Sequence, residues 1–301
     1  MKKIILILSA VMIVFGLSGF KLLQDKDKKA ILFVNFGTTF KDNRAITIDA
    51  LKQKIADTYQ GYDVKLAFTS RQVIRTIFKN EGIRIDTPEE ALSKLKKDGY
   101  GTVIVQSTHI INGVEAEYLK DEVEDMKDDF HVIKLGDPLL THVEDYKNTI
   151  KALKSQIETL KSDEAVVLIG HGTHHPITST YAMMDYMLEA DGFKNVYIGT
   201  VEGYPTYDNV VAKLKNNNIK KVTLMPLMFV AGDHAHNDIA SDEDDSWKTM
   251  LKKEGLQVNT YIHGLGENKE IQKLFIEHIQ HAIDKKEVDM KRKKAGYALD
   301  S

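Results

Sequence analysis

The chain repeats its own pattern, and that repeat is the strongest constraint on its fold. At a shift of 135 residues, Ala30-Ile31-Leu32 falls on Ala165-Val166-Val167 and Gly37-Thr38 falls on Gly172-Thr173. A shift of 132 lays Val64 to Thr69 on Val196 to Val201. A shift of 119 runs without gaps from Glu89 to Gly113. It matches Lys94-Leu95-Lys96 to Lys213-Leu214-Lys215, Val103 to Val222 and Gly113 to Gly232. Any two strand–helix–strand units share some apolar patterning. The ungapped register reads as internal duplication, so the chain must build two halves of one kind.

Within each copy, short apolar runs alternate with amphipathic stretches. "AILFVNFGTTF" reads as a buried strand closed by Gly37-Thr38-Thr39, with a helix near 43–58 and a second strand in "DVKLAFTS" (63–70). In "IDTPEEALSKLKKDGYG", Asp86 or Thr87 can cap a helix, Pro88 fits its first turn, and Glu89 and Glu90 complement its dipole. "TVIVQSTHIING" and "FHVIKLG" (130–136) supply a third and a fourth strand. The second copy opens on the long helix "HVEDYKNTIKALKSQIETLK". Strands follow in "AVVLIGHGT", "NVYIGTVEGYP", "KKVTLMPLMF" and "LQVNTYIHGLG". Strands alternating with helices predict parallel sheets covered on both faces. The expected fold class is therefore α/β, as two similar Rossmann-like domains, each a parallel sheet flanked by helices, with a cleft between them. The expected boundaries are 28–140 for the first half and 141–268 for the second, with a last helix and charged tail over 269–301.

Residues 1–27 stand apart. Lys2 and Lys3 precede an apolar run from Ile4 to about Phe15, followed by Gly16, Ser18 and Gly19. This is the layout of an export signal, or of an anchor through residues 4–20, and "QDKDKKA" reads as a linker. The expectation is an exported protein of the periplasm or cell envelope. "LSGF" has Phe20 where a lipidated cysteine would stand, which leaves lipid anchoring unsupported.

Composition removes several function classes. The chain has no cysteine, so disulfides, thiolate metal sites and cysteine nucleophiles are out, and a metal must be held by imidazole, carboxylate or backbone oxygen. A net charge of −3 with scattered Lys and Arg gives no footprint for nucleic acid. Neither a GxxxxGK[ST] loop nor a GxGxxG occurs, so no nucleotide cofactor is expected. The "FGTT" and "HGTHH" turns can still offer backbone N–H groups to an anionic substrate.

The repeat also exposes where the copies differ. Under the same shifts His171 replaces Phe36, Glu202 replaces Ser70, and His234 replaces Glu115. Strands of a parallel sheet share one carboxyl edge, so these three can converge although 31 and 32 residues separate them. Two imidazoles and a carboxylate with open positions suit cobalt, iron, nickel or zinc. The same trio can move protons, since histidine as a class titrates near neutrality. The candidate metal ligands are His171, Glu202 and His234, with His171 and His234 as candidate catalytic groups. Phe36, Gly37, Thr38, His109, Glu115, His174 and His175 are candidate substrate contacts around the same edges. His174 and His175 also suit a helix start, and His236 is a rival ligand. The acidic "SDEDDSW" reads as a solvated loop, and "YAMMDYM" and "LMPLMF" as core or pocket wall.

These motifs carry a family resemblance. "NFGTT", "IDTPEEAL", "QSTHIINGVE", "GHGTHH", "VEGYP", "LMPLMFVAGDHAHNDIASDEDDSWK" and "GLGEN" resemble the sirohydrochlorin cobaltochelatases of the CbiK type. Those belong to the class II chelatases, with ferrochelatase as a distant relative. The resemblance spans roughly residues 28 to 285. It implies two α/β chelatase-type halves with the tetrapyrrole between them, and Co²⁺ as substrate metal, with Fe²⁺ or Ni²⁺ as alternatives. It implies that His171 binds metal and takes a pyrrole proton, with His234 and Glu202 completing the set. Basic side chains near the turns would meet the substrate's carboxylates. Homo-oligomers and haem binding enter by resemblance only. An exported metal- or haem-binding protein without turnover, and a metal-dependent hydrolase, are the competing readings.

Overall fold

The computed structural model describes residues 25–157 and 160–285. Residues 1–24, which hold the export pattern, and most of the charged tail lie outside the described residues. Among the described residues, no helix is long and apolar enough to cross a membrane.

Two four-stranded parallel sheets carry the chain. The first contains β1 (Asp25–Asn35), β2 (Asp63–Phe68), β3 (Tyr100–Ser107) and β4 (Val132–Leu135), in the order β2-β1-β3-β4. The second contains β5 (Glu164–Gly172), β6 (Val196–Glu202), β7 (Lys221–Pro226) and β8 (Gln257–Thr260), in the order β6-β5-β7-β8. The halves thus share one topology, as the internal repeat requires. Their central strands are covered on both faces, and the sequence shows it: Ala30 to Val34 are fully buried, and Ala165 to Ile169 nearly so.

The helices are α1 (Lys41–Arg44), continued through a π turn into α2 (Ala50–Thr58), then α3 (Arg71–Glu81), α4 (Pro88–Lys97) and α5 (Val114–Asp125). The second half adds α6 (Val143–Ile157), α7 (Ser179–Ala190), α8 (Tyr207–Asn216), α9 (Trp247–Lys253) and α10 (Lys269–Asp284). The ungapped repeat is visible at α4 and α8. Thr87 with Glu90 and Thr206 with Asn209 form capping boxes at corresponding positions. Each cap is worth about 0.5–2 kcal/mol and fixes where its helix begins.

Three features depart from the sequence reading. The charged stretch taken as a linker is the start of β1, where Lys28 lays its stem along Tyr100, its ammonium 4.2 Å from the ring centre. The sequence reading passed over α3 and α5. The last helix, expected as a segment of its own over 269–301, packs against both halves. Tyr59 donates from its hydroxyl to the Ile276 carbonyl at 2.9 Å, and Lys134 donates to the Ile283 carbonyl at 2.7 Å. One apolar cluster accordingly runs from Ile31 and Phe33 through Ile150 and Leu153 to Val166, Leu168, Phe275 and Ile279. The halves share a core, with α6 and α10 filling the space between them, and the carboxyl edges of both sheets are held facing one cleft.

Candidate functional site

Between those edges lies a cavity of about 720 Å³, within the range of small-molecule sites. Its first-half wall comes from the ends of β1 and β3 and the first turns of α3 and α5. Its second-half wall comes from the ends of β5 and β6 and residues 227–234. All ten residues singled out from the sequence line it.

The end of β5 shows how the strand delivers an imidazole. Gly170 and Gly172 flank His171, and neither tolerates a side chain. A Cβ on Gly170 would sit 2.2 Å from the Tyr181 ring, and one on Gly172 would sit 1.4 Å from the Glu202 carbonyl oxygen. Gly172 also holds φ +87°, a region L-residues avoid. Its N–H donates to the Tyr181 hydroxyl at 3.3 Å. Burial pushes that phenol up to about 12, so it stays protonated. The close approach of Tyr181 at Gly170 and of β6 at Gly172 leaves His171 as the one residue of this glycine-bracketed triplet with a side chain at the cavity.

His171 Nε2 lies 3.1 Å from His234 Nε2, and the two rings meet edge to face with centroids 4.4 Å apart. The outer nitrogens identify the tautomers. His171 Nδ1 faces the Gly172 carbonyl at 3.0 Å, and His234 Nδ1 faces the Asp238 carboxylate at 2.6 Å. Both partners only accept, so both Nδ1 atoms carry hydrogen, and in each neutral ring Nε2 is the lone pair. Two lone pairs turned on each other at this distance repel unless a proton or a cation stands between them.

His234 reaches this place differently from the sequence expectation. β7 ends at Pro226, and His234 starts the helical π turn Ala235–Ile239 beyond it. That turn puts Asp238 one helical step away and so supplies the carboxylate partner, which the sequence reading missed. The i, i+4 spacing within "HAHND" is the signal that would have found it. Glu202 closes β6, paired in register with Gly172, and is exposed in the same cavity. Among the described residues, however, no three His, Cys, Asp or Glu side chains stand close enough together to form a ready cation site. The structure brings the two imidazoles together and leaves the carboxylate at the wall.

The remaining candidates divide by role. His175 accepts from the Ile177 N–H at 3.2 Å through Nδ1, and its Nε2 lies 3.4 Å from Glu117 across the cleft. Phe36 is 42% exposed at the mouth. His109 lines the cavity with both ring nitrogens covered and without a hydrogen-bond partner. The rival ligand His236 points elsewhere and stacks on Phe40 at 4.5 Å. Asn43 accepts from the Ala231 N–H at 3.0 Å beside that stack, so this side of the cleft is fastened. Among the described residues no Lys or Arg lines the cavity, against the expectation of basic side chains near the turns. His278, which carries no sequence pattern, is buried on Asp145 away from the cavity.

Comparison with known proteins identifies the family and the fold. The model of the cobalt chelatase (CbiK) family matches residues 29–284. The chain belongs to the cobalt chelatase family. Among the family's characterised members, the sirohydrochlorin cobaltochelatase of Salmonella typhimurium is 41% identical over 257 residues, covering 85% of this chain and 97% of the relative. The sirohydrochlorin cobaltochelatase CbiKC of Nitratidesulfovibrio vulgaris is 33% identical over 259 residues, covering 85% and 91%. The chelatase fold recurs in SirB from Bacillus subtilis with Fe³⁺, at a TM-score of 0.59 and 17% identity, covering 85% of this chain and 95% of that one. It recurs again in CbiX, at 0.52 and 14%, covering 84% and 99%. In this chelatase the paired imidazoles lie on the second half, and the first half supplies the facing wall.

Proposed function

We propose that this chain inserts Co²⁺ into sirohydrochlorin. The observation that carries the proposal is the pair of imidazole Nε2 atoms 3.1 Å apart in a cavity of about 720 Å³. Metallation replaces two pyrrole N–H protons by one divalent ion. His171 and His234 offer neutral nitrogen donors to the incoming ion, and Glu202 joins from the adjacent strand end as the third. A set that is not preassembled holds the ion weakly enough to pass it to four ring nitrogens. As the ion leaves, an Nε2 lone pair is freed and accepts a pyrrole proton, which the second imidazole shares across the Nε2–Nε2 contact. The second proton needs another acceptor, and Glu202 lines the same cavity.

Purified protein incubated with sirohydrochlorin and Co²⁺ tests the reading through the absorbance change on metallation. Multiple turnovers per protein support it. Binding of one equivalent without turnover rejects it in favour of a carrier. Fe²⁺ and Ni²⁺ suit the same donors, so the assay is run with all three ions in competition, and Co²⁺ is expected to lead. We also infer that the protein acts outside the cytoplasm, on the strength of the pattern in residues 1–20. Fractionation of cells, with sequencing of the mature N-terminus, checks it. Subunit association and haem binding, proposed on the family resemblance, are read by light scattering and by haem titration.

A further inference from the structure

We propose that His109 is a specificity residue for the substrate, with its imidazole N–H donating to a carboxylate on the edge of the tetrapyrrole that enters the cleft first. The inference rests on the chelatase reading and adds a site on the wall opposite the imidazole pair.

Three observations converge on it. His109 follows β3, in the loop 108–113 that forms part of the first-half wall, and its backbone is pinned because its carbonyl accepts from the Leu139 N–H at 2.9 Å. Both its ring nitrogens are shielded and meet no partner, whereas most buried polar side-chain atoms find one. Two unmet polar atoms are a cost the folded chain carries without return until something completes them. The third observation is the makeup of the lining. The tetrapyrrole carries acetate and propionate arms around its rim, and the inner arms must give up water as the disc enters. With no Lys or Arg in the lining, the donors left on the first-half wall are hydroxyls, amides, backbone N–H groups and this one imidazole.

The neighbourhood offers free backbone N–H groups, although Glu115 of the same turn adds a carboxylate to the wall. α5 begins beside the loop with Gly113 as its N-cap and no side-chain cap, and Val114, Glu115 and Ala116 of its first turn line the cavity. Burial lowers the His109 pKa to about 4, so the ring is neutral at physiological pH and does not repel an incoming divalent ion. A half-turn about Cβ–Cγ exchanges the two nitrogens with the two ring carbons and lets an arriving carboxylate select the donor orientation.

The test compares wild type, His109→Phe and His109→Gln. Metal-free sirohydrochlorin and its fully esterified form are titrated by fluorescence quenching, and kcat and KM are measured with Co²⁺. Loss of a hydrogen bond to a charged group predicts a KM for His109→Phe raised by about 10- to 100-fold. kcat stays within about threefold, and Co²⁺ binding without tetrapyrrole is unchanged. The ester should bind wild type and His109→Phe alike, and His109→Gln, which keeps an N–H, should recover most of the loss. An unchanged KM in His109→Phe, or an equal loss of affinity for the ester, overturns the proposal. If His109→Phe does not fold, the decision falls to wild type and His109→Gln: both must prefer acid over ester, and a wild type indifferent to esterification overturns the proposal. If wild type itself neither binds nor metallates sirohydrochlorin, the chelatase reading fails, and this inference falls with it.

Discussion

His171 and His234 stand 63 residues apart in sequence, yet present the same atom, Nε2, to each other at 3.1 Å. Each has its other nitrogen committed to an acceptor, so the contact is set by two independent anchors. Replacing either imidazole removes both a donor to the metal and half of the proton relay. His171→Ala and His234→Ala are each expected to slow metal insertion at least about 100-fold, as for loss of a positioned base. The double variant should be little worse than either, because the pair acts as a unit. Far-UV circular dichroism should match wild type in all three. Wild-type-like insertion rates in both single variants would reject the site.

Asp238 meets the imidazole pair through His234: its carboxylate oxygen lies 2.6 Å from Nδ1 and thereby orients Nε2. Asp238→Asn keeps an acceptor but loses the charge, and Asp238→Ala loses both. Calorimetric titration with Co²⁺ is expected to show affinity falling about 10-fold for Asn and toward about 100-fold for Ala. Equal affinity in all three proteins would show that the His234 ring is held by packing alone.

How much of this was legible in the sequence depends on distance along the chain. Strand identity and sheet class followed from runs such as Ala30 to Val34, because a strand buried on both faces leaves no polar alternation to misread. The start of α4 was legible for the same local reason, from Asp86 or Thr87 before Pro88, Glu89 and Glu90, and the structure makes Thr87 the cap. Placing His171 at an edge needed only its position after an apolar run. His234 was found by the repeat but assigned to a strand end, because repeat alignment transfers register and cannot see that the chain turns helical after Pro226. Glu202 was placed by the repeat at the end of β6, but the repeat gives strand register and not the distance of its carboxylate from the two imidazoles. The pairing of His278 with Asp145, 133 residues apart, depends on α10 packing back against α6.

The charge of the lining makes a separate prediction. Among the described residues no Lys or Arg lines the cavity, while Glu115, Glu202 and Asp233 do, so on the proposed function sirohydrochlorin would gain its hold from neutral donors and apolar contact rather than from cations. Exposed ion pairs would weaken as salt shortens the screening length from about 14 Å to about 6 Å. Here KM should change less than about twofold between about 0.05 M and about 0.3 M salt in steady-state assays. A steep rise would reveal cationic contacts from elsewhere on the protein.

His278 ties α10 to the segment joining the halves. Its Nε2 lies 3.1 Å from the Asp145 carboxylate, its Nδ1 lies 2.9 Å from the Asp137 carbonyl, and its side chain is 5% exposed. Burial opposes the charge on the ring, but Asp145 and Asp137 outweigh it and raise the pKa above the ordinary 6.5. For Asp145, burial is likewise outweighed by His278 and by the N–H groups of His142 and Thr141, which hold the carboxyl below its ordinary 3.8. The imidazolium's contribution is complete below pH 6.5 and is lost as pH rises through the raised value. The carboxylate's contribution is complete above pH 3.8 and is lost as pH falls through the lowered one. The pair therefore stabilises most between those limits. Asp145→Asn should cost about 3–5 kcal/mol near pH 5.5, since it strands a buried cation. Its penalty should shrink toward pH 8, and a pH-independent penalty in denaturant titrations would refute the pairing.

Gly172 and Gly82 separate backbone strain from steric conflict. Both have positive φ, +87° and +70°. A Cβ at Gly82 meets nothing within 4 Å, whereas one at Gly172 strikes the Glu202 carbonyl at 1.4 Å. Gly82→Ala should cost only the left-handed conformation, about 1–2 kcal/mol, and leave insertion unchanged. Gly172→Ala carries the same strain and must also push β6 away from β5, moving Glu202 relative to His171. A loss beyond about 4 kcal/mol is expected, or failure to fold, with insertion abolished in any protein that does fold. If Gly172→Ala melts and turns over like Gly82→Ala, the close strand approach is not what positions the imidazole, and the account of why glycine brackets His171 must be abandoned.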